Sequence, residues 1–269
     1  MPNVPRAAGR GFWFRGILLV ALFGFPARPV SDEGAPAHRP AVVDRVPHDP
    51  EAFTQGLLID GTVWLESVGR YGKSELREVE RATGKVLRRV ELDDEVFAEG
   101  LARVGPRLYQ LTWREHTCFV YDRATLKRTG RFEYEGEGWG LASDGKRLYM
   151  SDGSAVIRVL DPATFKEVRR FLVRNGERPV ERLNELEWVE GELWANVFET
   201  GYIVRVSPES GRVKGVLDLR FLPLPLDRHR DQDVLNGIAR DPETGAIWVT
   251  GKLWKAVYRI EWPPGRGER

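Results

Sequence analysis

From about residue 50 onward, the sequence repeats one pattern five times, at intervals of roughly 40 to 50 residues. Each unit opens with a short segment, usually of the Gly-Leu type, passes through a polar turn and enters a strand centred on an aromatic residue. The opening segments are Gln55-Gly56-Leu57, Glu99-Gly100-Leu101, Trp139-Gly140-Leu141, Asn184-Glu185-Leu186 and Asn236-Gly237-Ile238. The aromatic residues are Trp64, Tyr109, Tyr149, Trp194 and Trp248. This spacing is the length of a propeller blade, and it constrains the fold more than any other feature.

Four of the units carry a second hairpin around a shared turn. These turns are Glu80–Lys85, Asp122–Lys127, Asp161–Lys166 and Ser207–Arg212. Asp, Ser, Pro and Gly suit tight turns because their side chains bond the local backbone or preset φ. The flanking segments alternate apolar and polar residues with period two, as half-buried strands do. Since no segment after residue 30 has the pattern of an amphipathic helix, the sequence predicts an all-β fold with four strands in each unit.

The fifth unit ends near Trp262 after only three strands, and Ala41–Val46 precedes the first unit with the pattern of one more strand. Pairing that segment with the last unit closes a ring and removes two exposed sheet edges. A sixth blade would need about 40 further residues. We therefore predict a five-bladed β-propeller over residues 41–262, closed by an N-terminal strand.

The N-terminal residues differ from the rest of the chain. Arg6, Arg10 and Arg15 precede the apolar run Gly16–Phe25, which is too short to span a bilayer as a helix. This order is typical of a secretory signal, so residues 1–27 are predicted as a signal peptide cleaved near Ala27, with a retained anchor as the alternative. Residues 28–40 are predicted as a linker and residues 263–269 as a tail. We expect a secreted or periplasmic protein with no stable membrane span after signal removal.

Composition excludes several classes of function. Lys plus Arg number 41 and Asp plus Glu number 40, so the charge does not favour a nucleic-acid partner. The mixed-charge cluster 227–231 is predicted to be a solvated loop. Cys118 is the single cysteine, and the four histidines show no metal-ligand spacing. We expect no required cofactor or catalytic metal and a monomeric protein, while a structural ion in the central channel is left open.

Active sites of propellers lie where the first strands of the blades meet at one end of the channel. The opening segments bring Gln55, Glu99, Trp139, Asn184 and Asn236 to one rim. Such unlike polar and aromatic groups suit a pocket better than a repeated structural contact. The candidate site is therefore predicted at this rim.

The motifs around the rim resemble those of plant- and bacterial-type glutaminyl cyclases, the glutamine cyclotransferase family. The matching stretches are His48–Leu57, Phe97–Leu101, Gln110–Trp113, Glu137–Leu141, Asn184–Glu187 and Thr250–Trp254. The resemblance covers residues 42–262 and implies conversion of N-terminal glutamine in peptides or proteins to pyroglutamate, with release of ammonia. It implies Glu99 as the catalytic acid/base, and a substrate pocket lined by Phe53, Gln55, Phe97, Trp113, Trp139, Asn184, Phe198 and Lys252. Phe198 departs from the tryptophan usual in the family.

Each residue also has a structural explanation. Glu99 could be a rim carboxylate paired with a cation, and Trp113 and Trp139 could be core residues, as predicted for Trp64, Trp194 and Trp248. Glu66 is a second candidate acid, ranked below Glu99, whereas Glu185 and Asn236 are left outside the site. The rival functions are a non-enzymatic propeller that binds peptide or sugar, and a six-bladed, calcium-dependent hydrolase.

Overall fold

The computed structural model describes residues 34–228 and 233–262, which lie almost entirely in strands and turns. Two strands come first, β1 (Ala37–His38) and β2 (Ala41–Pro47). Blade 1 contains β3 (Thr54–Asp60), β4 (Val63–Val68), β5 (Glu75–Glu80) and β6 (Val86–Glu91). Blade 2 contains β7 (Ala98–Val104), β8 (Arg107–Thr112), β9 (Thr117–Asp122) and β10 (Arg128–Glu133). Blade 3 contains β11 (Leu141–Ser143), β12 (Leu148–Met150), β13 (Val156–Leu160) and β14 (Glu167–Leu172).

A small hairpin of β15 (Arg174–Asn175) and β16 (Arg178–Pro179) follows blade 3. Blade 4 contains β17 (Leu183–Val189), β18 (Glu192–Val197), β19 (Tyr202–Val206) and β20 (Val213–Asp218). Blade 5 contains β21 (Leu235–Arg240), β22 (Ile247–Gly251) and β23 (Ala256–Glu261). One 3₁₀ turn, Pro225–Asp227, is the only helical element in the described residues.

The fourth strand of blade 5 is β2, which comes from the N-terminal side of the propeller. It pairs antiparallel with β23, from Ala41 opposite Glu261 to Pro47 opposite Ala256. The predicted five-bladed β-propeller, closed by an N-terminal strand, is therefore confirmed, and the six-bladed alternative is wrong. β1, within the segment predicted as a linker, adds a parallel pair to the outer edge of β20.

Hydrophobic clusters join each blade to its neighbour around the ring. Leu65 of blade 1, for example, packs in one cluster with Leu101 and Leu108 of blade 2. Blades 5 and 1 share a cluster in which the rings of Trp64 and Trp248 lie 5.6 Å apart, edge to face. Trp64, Trp194 and Trp248 are buried, as predicted for core tryptophans.

The opening segments bring the inner strands unusually close together. A Cβ atom on Gly56 would collide with the backbone of Leu101, one on Gly100 with Leu141, and one on Gly140 with Asn184. Glycine recurs at this position because each inner strand approaches the backbone of the next blade.

A register shift accompanies these openings in blades 1, 2, 4 and 5. Bulges change the direction in which side chains point. In all four of these blades, the residue just before the glycine position lies within the register shift. Those residues are Gln55, Glu99, Asn184 and Asn236. The bulges thus explain how a repeated strand can present unlike polar groups at one rim.

Several predictions fall outside the described residues: the signal peptide, residues 28–33 of the linker, the C-terminal tail and residues 229–231 of the charged cluster. Within that cluster, Asp227 is buried and not solvated, because it bonds Arg45 and accepts a hydrogen bond from the Tyr258 hydroxyl at 2.7 Å. None of the helices in residues 34–228 and 233–262 is long and apolar enough to cross a membrane.

Candidate active site

All nine residues predicted for the site line one cavity of about 250 Å³ at the rim. They are Phe53, Gln55, Phe97, Glu99, Trp113, Trp139, Asn184, Phe198 and Lys252. The four polar residues are buried and the five aromatic residues are half-buried. The cavity therefore has a polar floor and aromatic walls, contributed by every blade of the propeller.

Glu99 is one of the polar residues of the floor and is only 5% exposed. Gln55 donates a hydrogen bond from Nε2 to Oε1 of Glu99 over 2.9 Å. Burial raises the pKa of Glu99 well above its usual range, and the negative charges of Glu115 and Glu137 add to this effect. The positive charge of Lys252 opposes it. A carboxyl group with a raised pKa holds its proton more firmly than an exposed one, a property that is common among acid/base catalysts.

Lys252 is 4% exposed, and its ammonium nitrogen lies 4.7 Å from the ring centre of Phe53 and 4.9 Å from that of Phe198. Burial lowers the pKa of Lys252, whereas the charges of Glu99 and Asp233 oppose that shift. The nearby aromatic faces attract the cation. The structural alternative for Glu99 was a rim carboxylate paired with Lys252 or an arginine. Lys252 does act on Glu99 electrostatically, but the two side chains form no salt bridge among the described residues.

The side-chain oxygen of Asn184 is a hydrogen-bond acceptor that the described structure leaves without a donor. It is 2% exposed, and its Oδ1 has no hydrogen-bond partner among the described residues. A buried polar atom without a partner is costly, and such atoms in native proteins point to a missing ligand or water. Because Asn184 lines the cavity, this atom is available to a bound molecule.

The aromatic walls form two edge-to-face groups. On one side Phe97 packs against Phe53 at 6.2 Å and Trp113 at 5.6 Å between ring centres. On the other side Trp139 packs against Phe198 at 5.5 Å. Trp113 and Trp139 line the cavity and belong to none of the described hydrophobic clusters, so the alternative that they are core residues is wrong.

Two further residues do not line the cavity but form hydrogen bonds with side chains that do. Asn236, which the sequence left outside the site, donates from Nδ2 to the Thr54 carbonyl at 2.9 Å and to Oε1 of Gln55 at 3.2 Å. It thereby orients the amide that bonds Glu99. Its rim position was visible in the repeat. Glu137 accepts hydrogen bonds from both Trp113 and Trp139, which no sequence pattern indicated.

Comparison with known proteins agrees with these motifs. Residues 17–262 match the family described as glutamine cyclotransferase, which is most of the chain. The chain belongs to the glutamine cyclotransferase family. A glutaminyl-peptide cyclotransferase from Arabidopsis thaliana is 45% identical over 224 residues, which span 82% of this chain and 70% of the plant protein. The crystal structure of Myxococcus xanthus glutaminyl cyclase superimposes with a TM-score of 0.78 at 34% identity, covering 84% of this chain and 98% of the bacterial one.

Glu66, the second candidate acid, is bonded to side chains outside the cavity of this cyclotransferase-family propeller. Its buried carboxylate accepts hydrogen bonds from Thr54 Oγ1 at 2.6 Å and Arg77 Nε at 2.8 Å, and it bonds His48 Nε2 at 2.9 Å. Although burial alone would raise the pKa of Glu66, the charge of Arg77 and the contact with His48 hold it well below its usual range. Glu66 does not line the cavity, so it is a structural anchor.

A larger groove of about 360 Å³ lies along blade 1 of the same propeller, and some of its charged residues are paired with one another. Arg77 contacts Asp49 at 2.7 Å, and Arg77 and Arg89 each contact Glu75 at 3.3 Å. Residues 34–228 and 233–262 contain no cluster of three or more His, Cys, Asp or Glu arranged to hold a metal. The aromatic cavity is therefore the best candidate for the chemistry of the family.

Proposed function

We propose that this chain is a glutaminyl-peptide cyclotransferase that converts N-terminal glutamine to pyroglutamate, with Glu99 as the general acid/base. The observation that carries the proposal is the buried carboxyl group of Glu99, whose pKa is raised, beside Lys252 in a small aromatic cavity. The cavity of about 250 Å³ lies below the roughly 300–1,000 Å³ of sites for drug-sized ligands. That size suits one residue at the end of a peptide.

The reaction needs little beyond positioning and proton transfer. The neutral α-amine attacks the carbonyl carbon of its own side-chain amide, so the nucleophile is already tethered to the electrophile. The new C–N bond forms as Glu99 takes a proton from the attacking nitrogen. Glu99 then returns that proton to the amide nitrogen as the old C–N bond breaks, and ammonia leaves. One carboxylate thus completes a balanced cycle.

The remaining groups stabilise the folded substrate and the developing charge. Lys252 can donate to the oxyanion of the tetrahedral intermediate, as can the amide groups of Gln55 and Asn184. The phenylalanine and tryptophan walls exclude water and enclose the aliphatic part of the glutamine side chain. Because no step requires a Lewis acid or a cofactor, the proposed mechanism is metal-independent.

The polar groups of the cavity are few and close together, whereas its walls are aromatic. Such a site contacts one glutamine side chain and its free amine, and it offers little to distinguish the residues that follow. We therefore propose that the substrates are peptides and proteins with a free N-terminal glutamine and many kinds of second residue. We further propose that the enzyme acts as a monomer.

The decisive experiment measures ammonia release from a Gln-initiated dipeptide by Glu99→Gln. The amide keeps the shape of Glu99 but cannot transfer a proton, so kcat should fall on the order of 10²- to 10⁴-fold. Glu209→Gln, in an exposed turn on the outer side of blade 4, is the control and should retain activity. Parallel assays with a strong chelator should give unchanged rates. Absence of cyclisation by the unaltered protein would favour the peptide-binding alternative.

A further inference from the structure

The carboxylate of Glu137 connects the two tryptophans of the cavity wall. Its Oε2 accepts a hydrogen bond from Trp113 Nε1 at 2.8 Å and another from Trp139 Nε1 at 3.0 Å. Arg114 donates from Nε to the other oxygen at 3.0 Å, and its guanidinium lies 3.7 Å from the ring centre of Trp113. One carboxylate thus holds two indoles that reach the cavity from different parts of the ring.

The core tryptophans show that a carboxylate holding the indole is not a general feature of the fold. The Trp254 indole donates to the Asp233 carbonyl at 2.8 Å. Within the described residues, the indole nitrogens of Trp64, Trp194 and Trp248 have no hydrogen-bond partner. Those rings are buried in clusters where packing alone sets their orientation. Trp113 and Trp139 instead line the cavity and are only half-buried, so packing around them is incomplete and an indole could rotate. A hydrogen bond to each N–H restricts that rotation.

The backbone around Glu137 is also tied to both tryptophans. Gly138 donates from its N–H to the Trp113 carbonyl at 3.0 Å, and Trp139 donates to the Ser151 carbonyl at 3.0 Å. A side chain at Gly138 would collide with Tyr134 and the Thr112 carbonyl, so this segment lies directly against the end of β8. The position of the Glu137 carboxylate is therefore well defined relative to both rings.

Glu137 also acts on Glu99 at a distance. Burial alone would raise the pKa of Glu137, but hydrogen bonds from Trp139, Trp113 and Arg114 outweigh burial and lower it. The group is therefore ionised at neutral pH, and its negative charge contributes to the raised pKa of Glu99. The other charged groups that act on Glu99 are Lys252 and Glu115. Glu115 accepts hydrogen bonds from the Tyr71 hydroxyl and the Phe97 N–H, whereas both indole N–H groups donate to Glu137.

We propose that Glu137 is a positioning residue, which fixes the Trp113 and Trp139 indoles in the orientation that holds the N-terminal glutamine for cyclisation. The proposal rests on the function proposed above. Displacement of a wall by about 1 Å can cost on the order of 100-fold in rate even when the reacting groups are intact. Loss of Glu137 should therefore affect both binding and turnover, although Glu137 does not line the cavity.

Three variants separate the geometric role of Glu137 from its charge. Glu137→Asp keeps the charge but shortens the side chain, so it cannot reach both indoles. Glu115→Gln removes a nearby negative charge and leaves both indole hydrogen bonds in place. Glu137→Gln is nearly isosteric but removes the charge, and its amide NH₂ cannot accept the hydrogen bond that Arg114 donates to the carboxylate. The side chain must then shift relative to the indoles, so this variant supplies the readout if the aspartate variant does not fold.

The measurements are the two indole N–H resonances in ¹H–¹⁵N spectra and the pH profile of kcat/KM for a Gln-peptide. Glu137→Asp should move both indole resonances, raise KM and lower kcat, with kcat/KM reduced on the order of 10- to 100-fold. The acidic limb of the kcat/KM profile of Glu137→Asp should stay at the same pH as in the unaltered protein. Glu115→Gln should leave the resonances unchanged and move the acidic limb to lower pH, because Glu99 loses a repulsive neighbour. Glu137→Gln should show both effects.

The spectra test the proposal without depending on cyclase activity. If Glu137→Asp leaves both indole resonances and the kinetics unchanged, or if Glu115→Gln moves the indoles equally, Glu137 does not position them. If the unaltered protein shows no cyclase activity at all, the proposed function fails, while the indole resonances still report whether Glu137 holds the tryptophans.

Discussion

At the scale of single residues, the site places a carboxyl group and an ammonium group where burial destabilises the charge of each. Burial raises the pKa of Glu99 and lowers the pKa of Lys252, and each group partly offsets the shift of the other. Neither group can therefore be understood alone. In the proposed mechanism, their interaction sets the pH range in which Glu99 is deprotonated and able to accept the proton of the attacking amine.

Lys252→Met should move the acidic limb of the kcat/KM profile to higher pH. With the cation gone, burial of Glu99 is no longer opposed, so its pKa rises further and its basic form is lost at a higher pH. Activity falls as pH falls through the pKa of Glu99, which fixes the direction of the shift. Lys252→Arg keeps the charge and should leave the limb near its original position. Coincident acidic limbs for the methionine variant and the unaltered protein would remove Lys252 from this role.

At the scale of the strand, the opening of each blade combines a close backbone approach with a change of register. The glycine allows the inner strands to approach, and the preceding residue is directed to the rim. In blade 2 these two neighbours are Gly100 and Glu99. The same short segment therefore determines both the packing of the blades and the position of the proposed catalytic carboxyl group.

Gly100→Ala should reduce both stability and activity. The added methyl group would collide with the backbone nitrogen of Leu141, which cannot move away as a flexible side chain could. Forcing an extra carbon into a tightly packed position costs about 1–3 kcal/mol, and here the strain falls beside Glu99. Gly130→Ala is the matched control, since a Cβ there meets nothing within 4 Å. Urea unfolding and kcat/KM should show a loss for position 100 and little change for position 130.

At the scale of the whole molecule, the blades depend on one another around the channel. β2 closes the ring, and Glu185 replaces the glycine that occupies the equivalent position in the other blades. Its carboxyl group accepts a hydrogen bond from the Ile238 N–H of blade 5 at 2.9 Å, and its pKa also responds to a backbone hydrogen bond from Leu57 of blade 1. Glu185 thus connects blade 4 with both of the blades that follow it.

Glu185→Gln should gain stability relative to the unaltered protein as pH rises. Burial raises the pKa of Glu185 well above its usual range, and Glu187 adds to the shift. Above the unfolded pKa of about 4.5, the folded protein holds a proton that the unfolded chain has released, so its stability falls with pH by up to about 1.4 kcal/mol per unit. Glutamine does not titrate. The urea midpoints of Glu185→Gln and of the unaltered protein should therefore diverge between pH 5 and pH 8. If the two midpoints change with pH in parallel, the prediction is contradicted.

Much of this architecture was predictable from local pattern. Four-stranded blades were indicated by the repeat, by the shared turns and by the alternation of apolar and polar residues in strands such as those of Trp64 and Tyr109. Such signals can be read from the sequence because turn conformation and strand burial depend on neighbouring residues. Ring closure followed from an unpaired strand at each end of the propeller. Family motifs, recognised in order along the chain, predicted every residue that lines the cavity.

What the sequence by itself determined is the number of blades and the residues of the rim, since both depend on periodic spacing. Only the tertiary structure decided which carboxyl group stays available. Glu66 on β4 and Glu99 on β7 are both buried. The Glu66 carboxylate is hydrogen-bonded to Arg77, His48 and Thr54, whereas the Glu99 carboxyl group accepts one hydrogen bond, from the amide of Gln55. Likewise, the Trp113 indole reaches the Glu137 carboxylate from a position 24 residues away in the chain. Desolvation and charge pairing depend on groups far apart in the chain, so they exist only once the blades have closed.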